Sequence, residues 1–102
     1  MPDLDKEGYL MNLTDWSEDV ARELAAQHQI TLTETHWQVI RVLQAFYVET
    51  DVAPAMRPFV KLVKNELGEE LGNSIRLMEL FSASPAKMAA RIAGLPRPTH
   101  CL

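Results

Sequence analysis

The residue with the most distinctive chemistry in this sequence stands next to its end. Cys101 is the one cysteine of the chain, and it follows Gly94-Leu95-Pro96-Arg97-Pro98-Thr99-His100. Two prolines at alternate positions preclude a helix and favour an extended, polyproline-like segment. Seven residue steps from Gly94 to Cys101, at about 3.1 Å each, give the thiol a reach of roughly 20 Å. A lone cysteine is most often a small buried hydrophobe. A terminal segment behind a glycine and two prolines is hard to bury, however, and an exposed thiol is a liability unless it is used. Prenylation is excluded, because Thr99 stands where that signal needs its cysteine. Resident-base catalysis needs a histidine fixed beside the thiolate in a rigid cleft. His100 is the adjacent residue, and neighbouring side chains on an extended chain point apart. A thiol on such an arm suits delivery to other proteins: it can accept a sulfur atom, hold it as a persulfide and be attacked in turn. Arg97, Arg91 and Lys87, with His100, are the candidates for supporting the anionic sulfur or docking an acidic partner, with plain solubility as the alternative reading of those charges.

Other chemistries find less support. His28 and His36 are separated by an expected helix break and have no second cysteine beside them, so no metal site is expected. The carboxylates show no paired arrangement for general acid–base work. A glycine-rich phosphate loop is absent from the sequence, and no cofactor is implied. The helices around Gly68 and Gly72 could be read as a helix-turn-helix regulator, but the second offers only Asn73 and Arg76 as base readers while Glu79 opposes phosphate, so direct DNA binding is not favoured.

The 102 residues form one domain with a modest core. The formal charge of −4 argues against a general nucleic-acid binder. It is unevenly spread: residues 1–50 carry nine acidic groups against Lys6, Arg22 and Arg41, whereas residues 51–102 carry five against seven basic ones. No apolar run approaches the roughly 18–20 residues of a membrane span, the start has no secretory pattern, and a single cysteine suits a reducing cytoplasm.

The elements that must carry the arm are helical. Residues 1–13 read as an N-terminal turn or short β segment, 14–94 as a helical core and 95–102 as a mobile C-terminal arm. A first helix is expected to begin at Thr14-Asp15-Trp16-Ser17-Glu18, bury Val20, Ala21, Leu24 and Ala25, and end near Gln27-His28. Thr33 caps a second, with Trp37, Val39, Ile40, Leu43, Phe46 and Tyr47 as a stripe broad enough to make it the central buried helix, ending near Glu49-Thr50. Pro54 suits the first turn of a third, with Pro58 in its first turns and Gly68 as its stop. Gly72-Asn73-Ser74 starts a fourth, filled by Ile75, Leu77, Met78, Leu80 and Phe81. Ser84 caps a fifth from Pro85 to about Ala93, closed by Gly94. The expected fold is mainly α, a bundle of about five helices with little or no sheet.

Several segments carry a resemblance: Glu7-Gly8-Tyr9-Leu10, Trp16-Ser17-Glu18, Leu32-Thr33-Glu34 with His36-Trp37, Pro54-Ala55-Met56-Arg57, Gly72-Asn73-Ser74, Leu80-Phe81, Pro85-Ala86-Lys87, and Ala93-Gly94-Leu95-Pro96-Arg97-Pro98 followed by Cys101. Together they resemble the DsrC/TusE family over nearly the whole chain. The resemblance implies a small helical fold with an N-terminal β-hairpin, a mobile C-terminal arm, and a sulfurtransferase that acts as a stoichiometric persulfide carrier through Cys101. The DsrC branch has a second cysteine eleven residues earlier, where this chain has Ala90. The resemblance is therefore to the one-cysteine, TusE-like branch. That branch takes sulfur from a TusBCD- or DsrEFH-like complex and passes it to an MnmA-like thiouridylase for 2-thiolation of the tRNA wobble uridine. A sulfur-oxidation protein is the alternative acceptor. Met1 to Lys6 is shorter than the family's usual opening, so the hairpin is expected to lack its first strand.

Overall fold

Several helices begin where a small polar side chain can accept from the free amides of a first turn, or where a proline removes one of those amides. In the computed structural model, which describes residues 1–98, the Asn12 side chain caps a short 3₁₀ turn, Leu13–Asp15. Ser17 caps α1, Glu18–Ala26, by accepting from the Val20 amide. Thr33 opens α2, Glu34–Thr50. α3 runs over Met56–Leu67, Asn73 caps α4, Ser74–Phe81, and α5, Pro85–Ile92, has its proline in the first turn. Thr99, His100, Cys101 and Leu102 lie outside the described residues, and with them two of the expected site residues.

The expected bundle of five helices is therefore present, with three corrections. Pro54 is buried ahead of α3, which starts at Met56; Pro58 occupies the third position, where its missing amide has no carbonyl to meet. α2 is not the central helix. It buries His36, Val39, Ile40 and Leu43 along one face, while Trp37, Phe46 and Tyr47 are half-buried. The centre is α5, which touches α1, α2, α3 and α4 and buries six of its eight residues. Ala86, Ala89 and Ala90 allow that crowding, because a methyl group lets neighbouring helix axes come close. Finally, Ile75 and Met78 do not fill α4: they are 72% and 41% exposed, and Leu77, Leu80 and Phe81 supply its core face.

The N-terminal hairpin implied by the resemblance is reduced to a single antiparallel bridge between Leu4 and Leu10, and among the described residues no strand forms. The turn between them is nevertheless tightly made. The Asp5 carboxylate accepts from the amides of Glu7 and Tyr9 at 2.9 and 3.0 Å, and the Asp5 amide donates to the Tyr9 carbonyl at 2.7 Å.

His36 is a structural residue. The Thr33 amide donates to its Nδ1 at 3.0 Å, which leaves the proton on Nε2 to be donated to the Leu80 carbonyl at 2.8 Å. The ring also meets Phe81 edge-to-face at 5.1 Å. One neutral imidazole thus closes the start of α2 and the end of α4. Burial lowers its pKa below the usual value of 6.5, opposed by the Leu80 bond and reinforced by the Arg76 charge. A histidine kept neutral in the fold and free to protonate when unfolded stabilises fully above pH about 6.5, and this contribution is lost as pH falls from there through the lowered folded value. Urea titrations of wild type at pH 7.5 and 5.5 should show a loss of stability at the lower pH that is smaller in His36→Gln. His36→Ala should cost about 2–3 kcal/mol at pH 7.5, because it strands the Leu80 carbonyl and the Thr33 amide.

Candidate functional site: the base of the C-terminal arm

The arm leaves from the end of α5, and that end is closed by hydrogen bonds. Gly94 has a φ of +78°, a conformation open to glycine at little cost. It turns the chain so that the Gly94 amide donates to the Arg91 carbonyl at 3.2 Å and the Leu95 amide to the Ala90 carbonyl at 2.9 Å. This pair of bonds is the Schellman arrangement, and Leu95, which completes it, is itself buried. The two carbonyls left over are taken by distant side chains. Trp16 Nε1 donates to Ile92 at 2.9 Å and Gln44 Nε2 to Ala93 at 2.9 Å. The Trp16 ring also lies against Gly94, where a Cβ would stand about 2.5 Å from a ring carbon.

The next support comes from the N-terminal turn. Gly8, at φ +90°, brings the backbone against Arg91, and a Cβ there would approach Nε at 3.3 Å. The Arg91 guanidinium lies over the Tyr9 ring, 4.9 Å from its centroid, and donates from Nη2 to the Glu7 carbonyl at 3.0 Å. Its Nε is closed off from solvent and finds no acceptor among the described residues. Tyr9 is buried, and burial raises its phenol pKa above 10.0 against the opposing pull of Arg91, so the ring stays neutral beneath the cation. Arg97, on the arm, donates from Nη1 to both Glu7 carboxylate oxygens at 2.9 and 3.2 Å.

Of the residues singled out from sequence, Arg91 and Arg97 are thus brought together on Glu7. Lys87 is exposed one turn earlier in α5, on the rim of a surface cavity of about 370 Å³ that His28, Ser82, Ser84 and Arg91 also line. Ala90, which stands where a second cysteine would be, is 1% exposed, and its carbonyl accepts from the Leu95 amide. No group of three or more metal-ligating side chains occurs among the described residues. In α4, the helix read as a base reader, Arg76 is paired to Glu79 at 3.2 Å. Sequence reasoning missed Glu7, Trp16 and Gln44 as parts of this site. Glu7 and Trp16 lie within segments that carried the resemblance; Gln44, a polar residue inside an apolar stripe, gave no signal.

Comparison with known proteins agrees with this architecture. Residues 1–102 match the family model described as DsrC like protein, and the chain belongs to that family. The sulfurtransferase TusE of Yersinia pseudotuberculosis is 53% identical over 100 residues, covering 98% of this chain and 93% of the relative. TusE of Photorhabdus laumondii is 51% identical over 98 residues, covering 96% and 88%. Among solved structures, the NMR structure of Allochromatium vinosum DsrC superposes with a TM-score of 0.88 at 49% identity, covering 97% of this chain and 88% of that one. The oxidized gamma-subunit of dissimilatory sulfite reductase (DsrC) from Archaeoglobus fulgidus gives 0.81 at 40% identity, covering 99% and 92%.

Two substitutions test the construction of the arm's base. Trp16→Phe keeps the ring but strands the buried Ile92 carbonyl and should cost about 1–3 kcal/mol in urea unfolding. Gly94→Ala should cost more than the roughly 1 kcal/mol of an unfavourable φ alone, because its methyl group also meets Trp16. Amide shifts in a ¹⁵N–¹H spectrum should then move at Leu95 and Ala90 together.

Proposed function

We propose that this protein is a sulfur-relay protein, a sulfurtransferase in which Cys101 carries one sulfur atom as a persulfide, directed toward 2-thiolation of the tRNA wobble uridine. The Cys101 thiolate attacks the terminal sulfur of a donor persulfide. The S–S bond of the donor breaks, its own thiolate leaves, and the new S–S bond on Cys101 holds the sulfur with no net oxidation. An acceptor thiolate repeats the attack and returns Cys101 to the thiolate. The observation that carries the reading is the identity of about one half, over nearly the full chain, to relatives named sulfurtransferase TusE, in a sequence whose one cysteine stands at the end of this arm.

The geometry of the arm's base supports it. Leu95 is fixed to the domain, and three residue steps beyond Pro98 reach Cys101. With Ala90 in place of a second cysteine, neither an internal disulfide nor a sulfur bridge within the chain can form. Partners are therefore other proteins: a TusBCD- or DsrEFH-like donor and an MnmA-like acceptor, met in the cytoplasm. No helix among the described residues is long and apolar enough to cross a membrane. The likeness to DsrC structures favours, as a second reading, delivery to a sulfur-oxidation protein.

Incubation with a persulfidated donor, followed by intact-mass measurement, should add one sulfur to wild type and none to Cys101→Ser. An equal gain in Cys101→Ser, or no gain in wild type, overturns the carrier reading. Host cells carrying only Cys101→Ser should lose 2-thiouridine from tRNA; retention of the modified base with loss of sulfur oxidation selects the second reading.

A further inference from the structure

From the contacts at the N-terminal turn we infer that Glu7 is a positioning residue for the arm: its carboxylate clasps Arg97 against the N-terminal turn and so sets the point from which Cys101 is presented. The inference rests on the carrier reading for its purpose. Its structural content stands on three contacts that meet at one residue. The Glu7 carbonyl accepts from Arg91 of α5, the Glu7 carboxylate accepts twice from Arg97 of the arm, and Gly8 lets the turn come close enough for both. Arg91 is itself held by the Tyr9 ring. The clasp is therefore anchored to the core on one side and to the arm on the other.

Its effect is on reach. With Arg97 held, three residue steps separate Pro98 from Cys101, a chain length of at most roughly 10 Å. With Arg97 released, the count runs from the buried Leu95, and that upper limit about doubles. A short tether confines the thiol to a smaller volume and so presents it at a higher effective concentration to a partner docked on this face. The pair is weak enough to open. Its side chains are 59% and 48% exposed, and exposed ion pairs of this kind shift a population by roughly 1.5- to 5-fold and are screened by salt. Partner docking near Glu7 can then exchange one state for the other.

Backbone ¹⁵N relaxation tests the clasp without any sulfur chemistry. In wild type at low salt the Arg97 amide should have a higher order parameter than in Glu7→Gln, in Arg97→Gln or in wild type at 1 M NaCl, where it should move toward the flexible range below about 0.6. The double variant should be no looser than either single one, and the exchange Glu7→Arg with Arg97→Glu should restore order at low salt. Order unchanged in both single variants, or no recovery in the exchanged pair, overturns the inference. Sulfur uptake from a persulfidated donor supplies a second readout: both single variants should raise KM about 3-fold with kcat preserved, and an unchanged KM overturns the role in presentation. Failure of wild type to take up sulfur, with the relaxation pattern intact, removes the carrier reading and leaves the clasp.

Discussion

The geometry of the arm depends on how α5 ends. A helix leaves its last carbonyls without partners, and a buried end must find donors for them. Here two come from the turn made by Gly94 and two from side chains of other elements, Trp16 before α1 and Gln44 in α2. Because the donors belong to three separate parts of the fold, the direction in which the chain leaves α5 is set by the assembled domain. Leu95, itself buried, then closes the joint through its amide's bond to the Ala90 carbonyl. Only beyond this point does the chain run exposed past the N-terminal turn.

The same economy governs the charges nearby. An isolated basic cluster would be a general attractor for anions, but Arg91 and Arg97 are both engaged with Glu7, and Arg91 is also stacked on Tyr9. Lys87 remains exposed on the cavity rim beside His28. One basic residue of the C-terminal half, Arg97, is thus answered by an acidic residue from the N-terminal half, while Arg91 is held by that residue's backbone carbonyl. The neutral His36 follows the parallel logic in the interior, joining the start of α2 to the end of α4 through the two nitrogens of one ring.

Much of this was legible in the sequence. Caps and stops mark the helices because they are local: Ser17, Thr33, Asn73 and Gly68 act on amides or carbonyls within a few residues of themselves. Centrality was not legible. The broad stripe of α2 looked more buried than the alanines of α5, yet small side chains are what permit four helices to converge on one. Ile75 and Met78 counted toward a core face of α4 that Leu77, Leu80 and Phe81 already complete. The arm and its cysteine stood out by composition alone, whereas its fixings did not, since a hydrogen bond from Trp16 to Ile92 leaves no periodic trace. The hairpin implied by the family resemblance failed for want of paired residues: one bridge, Leu4 to Leu10, is all that the Asp5 turn supports.

The contacts that fix the arm join residues at opposite ends of the sequence, Trp16 to Ile92 and Glu7 to Arg97. Closing so long a loop requires the intervening chain to be ordered first, and contacts of this separation are slow to form. Until α5 has formed, Trp16 and Glu7 lack their partners there. A polypeptide truncated past Trp16 at its N-terminus therefore loses the seating of the segment that follows α5, although that segment itself is intact.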